Sequence, residues 1–237
     1  CSSDLILPTI PSLREGLGSL PASLISEWHA YAETIKAGNY HFLGLDWPAS
    51  SGCPWHLDPV TNTAWPNDTY CFSIDFRHGA GKGDVKYVWE LNRLQFLQPL
   101  AALAFVKQDE TLARFCLAAL ENWLISNPAY QGVNWVSGIE LALRAISMLV
   151  VITCIGEHAT PAQRIRILQS LQAHGYWIAR YPSAFSSANN HRTAEGLGLF
   201  RAGNLRLRIN LPDDVVGDAR AGIAVLLEQL HRPPLFP

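Results

Sequence analysis

Three polar pairs set into otherwise apolar helical stretches constrain this chain more than any other feature. Glu90 with Arg93, Glu140 with Arg144 and His191 with Glu195 are spaced i, i+3 or i, i+4, so each pair shares one helix face. Their first members recur at intervals of about 50 residues, the length of a two-helix hairpin with its loops. Such a recurrence predicts an all-α chain of stacked αα-hairpins, in which every second helix presents a polar pair to one common surface.

The remaining periodicity agrees. Apolar residues at helical spacing predict a helix over 21–37, ended by Gly38, and further helices near 85–107, 109–126, 134–155, 161–180, 190–203 and 213–231. Asp109 and Thr160 are the expected N-caps, with Pro161 where a first helical turn tolerates it. Pro99 should kink or split the first long segment. Residues 39–84 differ: turn-forming residues dominate, and Trp47, Trp55 and Trp65 each lie beside or near a proline. They predict a long irregular Trp/Pro-rich segment, with short strands around "YCFSIDF", packed down by its own aromatics.

Composition limits the function classes. With 18 Lys plus Arg against 20 Asp plus Glu, a net charge of -2 provides no global footprint for nucleic acid. The longest apolar run, Ala145 to Ile155, falls well short of the roughly 18 to 20 residues a bilayer span requires, and reads as a buried helix. Five cysteines, an odd number without a CxxC or a His/Cys cluster, indicate neither a zinc site nor a disulfide framework, and no cofactor motif is present. A chain starting at Cys1 with "CSSD" reads either as a lipid-modified mature N-terminus or as a cut fragment.

Each polar cluster admits two readings. On "DVKYVWELNRLQF", Lys86, Trp89, Glu90 and Arg93 fall on one side of a helix, as a core tryptophan with an ion pair or as a ligand-facing patch. "GVNWVSGIELALR" repeats the theme with Asn134, Trp135, Ser137, Glu140 and Arg144. Exposed tryptophan beside Glu, Asn and Arg suits a sugar-binding cleft, where rings pack on pyranose faces and polar groups pair with hydroxyls and carboxylates. In "SSANNHRTAEGLGLF", Ser187 or Asn189 can cap a helix whose next residues, Asn190 and His191, offer an amide and an imidazole to an anion, with Glu195 one turn on. Donors so placed on a carboxylate acidify the adjacent C–H by stabilising the enolate formed on deprotonation. HRTAE is not HExxH, so a metal role for the histidine has little support.

Together, "DWPASSGCPWHLDPVTNTAWP", "GDVKYVWELNRLQFLQPLA", "NPAYQGVNWVSGIELALRAIS" and "SSANNHRTAEGLGLF" resemble, in order and spacing over roughly residues 38 to 205, the N-terminal helical domain of the heparinase II/III family of polysaccharide lyases. The resemblance implies an (α/α) toroid, here incomplete and occupying 1–237 as one domain, followed in the family by a β-sandwich domain with the substrate cleft between them. It implies β-elimination of uronate-containing acidic polysaccharides such as heparan sulfate, a glycosaminoglycan, or alginate. Asn190 and His191 would bind the uronate carboxylate, and Trp89, Glu90, Arg93, Asn134, Trp135, Glu140, Arg144 and Glu195 would form subsite contacts. No cofactor or metal is implied, and the periplasm or cell envelope is the implied location.

One departure accompanies the match. The family's proton-transferring tyrosine follows the asparagine by some fifty or more residues, whereas the last tyrosine here is Tyr181, before the motif. The expectation is therefore a chain without that residue or the β-domain, with little turnover of its own, since tyrosine at its ordinary pKa of about 10 already needs tuning to act as a base. Two other functions compete. One is a non-catalytic module that binds acidic glycans or another chain. The other is a glycoside hydrolase using Glu90 and Glu140, disfavoured because each has an arginine at helical spacing that would hold it ionised.

Overall fold

A computed structural model describes residues 7–47, 54–77, 83–183 and 194–196. Among these, seven α-helices carry the architecture: α1 (Pro11–Leu17), α2 (Ala22–Lys36), α3 (Val85–Asn92), α4 (Leu97–Lys107), α5 (Glu110–Ser126), α6 (Gly138–Ile155) and α7 (Pro161–Arg180). The expected helices near 190–203 and 213–231 lie outside the described residues, apart from a helical turn at 194–196.

Helices α4 and α5 form one hairpin and α6 and α7 a second. They stack with α4 beside α6 and α5 beside α7, while α2 extends the α4 side of the layer. The predicted N-caps hold these joints. Asp109 accepts from the Leu112 N–H at 3.0 Å, and Thr160 and Gln163 form a reciprocal capping box at the start of α7. α4 and α6 are apolar on nearly every face because both are central. By length and composition alone the stretch Gly138–His158 could cross a bilayer, yet 78% of its window is buried inside the protein, so it is the core helix of this fold. Short α1, which the sequence pattern did not reveal, lies against α6 through the Ile10 N–H to Thr153 Oγ1 at 3.0 Å and the Arg14–Glu157 ion pair at 2.9 Å.

The first long predicted helix does split, but not at Pro99. The break spans residues 93–96, where Leu94 adopts a left-handed backbone, at φ 57°, with its side chain buried. Pro99 falls within the first turn of α4, where a missing N–H costs nothing. The strands also differ from expectation. "YCFSIDF" forms a 3-10 turn at Cys71–Ser73, while the strands are two small antiparallel hairpins: β1 (His41–Phe42) with β2 (Leu45–Asp46), and β3 (Leu57–Asp58) with β4 (Thr63–Ala64). Leu43 and Gly44, both at positive φ, close the first in a two-residue turn.

The irregular segment is held down by its aromatics, as its composition suggests: Trp47, Trp55 and Trp65 are all buried. Its end is pinned to the turn before α6 by the Gly132 N–H to Thr69 O at 2.8 Å and the Val133 N–H to Pro66 O at 3.0 Å. Gly132 sits at φ +78°, and a Cβ there would lie 2.9 Å from the Asn67 Cα and 3.1 Å from the Pro66 carbonyl. Both obstacles are backbone, so nothing can swing aside. Gly132→Ala should therefore cost about 2 kcal/mol or more in urea unfolding, against the roughly 0.5 to 1 kcal/mol of an ordinary glycine effect.

Candidate functional site

Members of the first two predicted polar pairs meet at one guanidinium, while the third pair, His191 with Glu195, lies partly outside the described residues. Arg93, just past the end of α3, reaches the first turn of α6 and donates from Nε and Nη2 to the two oxygens of Glu140 at 2.8 and 2.9 Å. Its Nη1 donates to Glu90. One guanidinium thus bridges two carboxylates, and the hydrogen bonds to Glu140 raise its pKa against the opposing effect of burial. Glu90 and Arg93 remain partly open to solvent, whereas Glu140 is almost covered. The expected Glu140–Arg144 pair is corrected: Glu140 turns to Arg93, and Arg144 points inward.

Arg144 is fully buried. Its Nε donates to the Asn92 carbonyl at 2.8 Å, and Nη1 and Nη2 both donate to the Asn134 carbonyl, at 2.9 and 3.0 Å. Asn92 is the last residue of α3, so the cation satisfies a helix-end carbonyl and opposes the negative end of the dipole. The guanidinium also lies 4.5 Å over the Trp123 ring. Nη1 points at His174 Nε2 from 3.4 Å, while His174 Nδ1 donates to the Ser170 carbonyl at 2.7 Å, which fixes a neutral tautomer.

Three asparagines complete this network. Asn92 Nδ2 donates to the carbonyls of Trp55 and Val88 at 2.6 and 2.7 Å, and its Oδ1 accepts from Trp123 Nε1 at 2.8 Å. Asn134 Nδ2 donates to Asn92 Oδ1 at 2.9 Å and Asn127 Oδ1 at 2.8 Å, and His56 lies 2.9 Å from the same Asn127 oxygen. The irregular segment, through Trp55 and His56, is thereby locked to α3, α5 and the turn before α6. Sequence reading missed Asn92, Asn127 and His174. The available signal was asparagine or histidine at helical spacing within apolar runs, as in "WELN" and "NWLISN".

The exposed-tryptophan expectation is also corrected. Trp89 is 8% exposed and Trp135 1%, and their indole N–H groups donate to the Val133 and Asn127 carbonyls at 3.0 and 3.3 Å. With their polar atoms satisfied, these rings pack as core. Asn134 and Arg144, at 0%, likewise present no surface to a ligand.

Asn190 and His191 lie outside the described residues. Glu195 is described and buried: its Oε1 accepts from Ser183 Oγ at 2.6 Å and its Oε2 from the Ser183 N–H at 3.0 Å. This clasp brings the chain after α7 back to the start of α6, where a Cβ on Gly138 would lie 2.3 Å from Glu195 Oε1 and 3.1 Å from the Trp177 ring. Ser183 and Glu195 are thus held together beside α6 and the Trp177 ring of α7. Among the described residues, no group of three or more His, Cys, Asp or Glu side chains is arranged to hold a metal ion.

With these positions set out, comparison with known proteins adds a family. The heparinase II/III N-terminus family matches residues 54–207. The chain belongs to that family. The matched span begins within the irregular segment and contains all three polar pairs and the "NNH" stretch, and the family is a polysaccharide lyase-related domain. No curated protein and no solved structure matches the chain.

Two outcomes follow from the buried network. Arg144→Met strips donors from the Asn92 and Asn134 carbonyls and should lower unfolding free energy by about 3 kcal/mol or more in urea titration. His174 is pushed down to about 3, first by burial and then by Arg144. A histidine that protonates more readily unfolded than folded contributes nothing to pH dependence above its unfolded pKa and lowers stability as pH falls below it. Between pH 7 and pH 5 its contribution should fall by up to about 2 kcal/mol, and His174→Gln should flatten that slope.

Proposed function

We propose that this chain is the helical N-terminal part, built as an (α/α) toroid, of a polysaccharide lyase that cleaves uronate-containing acidic polysaccharides by β-elimination. The family match across residues 54–207 carries this reading, because it takes in the stretch where Asn190 and His191 stand together. In the proposed reaction these two donate to the uronate carboxylate, and the charge developing on that group as the C5 proton leaves is stabilised in place. The Glu195 carboxylate keeps acceptor capacity beyond its two bonds to Ser183 and can orient His191 from one turn away.

The substrate contacts narrow accordingly. Of the subsite residues expected from the first two clusters, Glu90 and Arg93 are the ones with solvent-facing surface. Arg93, already neutralised by two carboxylates, offers a sugar its outer edge rather than a free cation. Trp89, Asn134, Trp135, Glu140 and Arg144 act behind that surface, holding α3 against α6. The shared guanidinium also argues against a glycoside hydrolase. A general acid must be free to reach the glycosidic oxygen, whereas both carboxylates here are engaged by the same guanidinium and Glu140 is almost covered.

The test is incubation with heparan sulfate and alginate, following the ultraviolet absorbance of unsaturated uronate ends and, separately, oligosaccharide binding by calorimetry. Little turnover is expected from these 237 residues, which hold no tyrosine after Tyr181. Binding should be measurable and weakened about ten-fold or more by Asn190→Ala or His191→Ala, as expected when charge-assisted hydrogen bonds of roughly 1.5 to 3 kcal/mol are lost. Unchanged binding in both variants would place the carboxylate elsewhere and sink the assignment.

A further inference from the structure

Aromatic side chains cluster on the surface beside the Glu195 clasp. Tyr70, Phe72 and Tyr181 are 55%, 49% and 43% exposed. The Phe72 ring lies parallel to the buried Trp177, with centroids 5.8 Å apart and planes 2° from parallel, and it meets Tyr181 at 4.7 Å and Tyr70 at 5.6 Å. Trp177 supports Tyr181 as well, at 5.4 Å. Phe72 and Tyr181 therefore rest on one buried indole and Tyr70 leans on Phe72, so none of the three can rotate away without breaking ring contacts.

Their position is specific. Tyr181 ends α7 and stands two residues before Ser183, whose backbone and hydroxyl hold Glu195. Trp177 and Glu195 both fill the space that a Cβ on Gly138 would enter. The wall thus adjoins the Ser183–Glu195 clasp at the start of α6.

We propose that Tyr70, Phe72 and Tyr181 form a sugar-stacking subsite that takes a pyranose ring of the uronate-containing polysaccharide; this rests on the lyase reading above. The chemistry favours a sugar over a protein partner. The exposed groups are flat rings, two with hydroxyls that can pair with sugar hydroxyls, and no aliphatic side chain belongs to the ring cluster. Pyranose C–H faces pack on such rings while the sugar's polar edge stays hydrated, and rigidly supported aromatics provide that area at low entropic cost.

Binding of uronate hexasaccharides from alginate and heparan sulfate to the full-length protein is the test, by calorimetry at low and high salt. The double variant Phe72→Ala/Tyr181→Ala should weaken binding by about ten-fold, and the loss should persist at high salt, because ring stacking is not screened as ion pairing is. Phe72→Tyr should retain wild-type affinity, and the thermal midpoint of the double variant, read alongside, should stay near the wild type. If wild type binds and the double variant binds equally well, the subsite is wrong while the lyase reading survives. If wild type binds no uronate polymer, that reading falls and takes the subsite with it. If the double variant instead changes only the oligomeric state in sedimentation, the wall is an interface between copies and the proposal is overturned.

Discussion

A cation without a carboxylate partner of its own sits at the centre of this molecule. Arg144 is sealed from water and compensated by two backbone carbonyls, an aromatic face and a neutral imidazole. Removing a guanidinium from water is expensive unless nearly every donor is met. The elements that meet those donors are therefore fixed relative to one another: the end of α3, the turn before α6, and α7. Burial pushes the Arg144 pKa down, and nearby Glu140 opposes the shift. Glu140 in turn is held by Arg93 at the surface. A line of charge thus runs from core to solvent, and the outward-facing Glu90–Arg93 edge owes its placement to the inward-facing arginine.

Much of the fold was legible in the residues. The Thr160–Pro161 start and Arg180 end of α7 follow from an N-cap threonine, a first-turn proline and an unbroken apolar period. The Asp109 cap of α5 is equally local. What failed was what depends on distant partners. Leu94 turns left-handed because its side chain gains the core, which no local propensity announces. "YCFSIDF" has strand composition, yet its Cys71 N–H is taken by the Tyr130 carbonyl at 2.9 Å and it coils into a 3-10 turn.

The candidate site divides along the same line. Spacing showed that Glu90 and Arg93 pair and that polar clusters recur with the hairpins. It could not show that Arg93 would outcompete Arg144 for Glu140, since a contact across 47 residues is invisible to helical periodicity. Tryptophan beside charge read as an exposed platform, but the indoles found carbonyl partners indoors. The exposed rings came instead from residues with little local pattern, Tyr70, Phe72 and Tyr181, gathered by the packing of a turn onto the end of α7.

Gly138 bears on how such a surface could be inherited. The Glu195 carboxylate occupies the volume that any larger side chain at position 138 would need. The two positions therefore form a steric contract: a side chain at 138 would expel the acid and release Ser183 with it. Growth at 138 is confined to chains that give up the clasp, whereas the acid can be lost without change at 138. Relatives that retain this clasp should show a small residue opposite the acid, and lineages that abandon it should be free to lose both together.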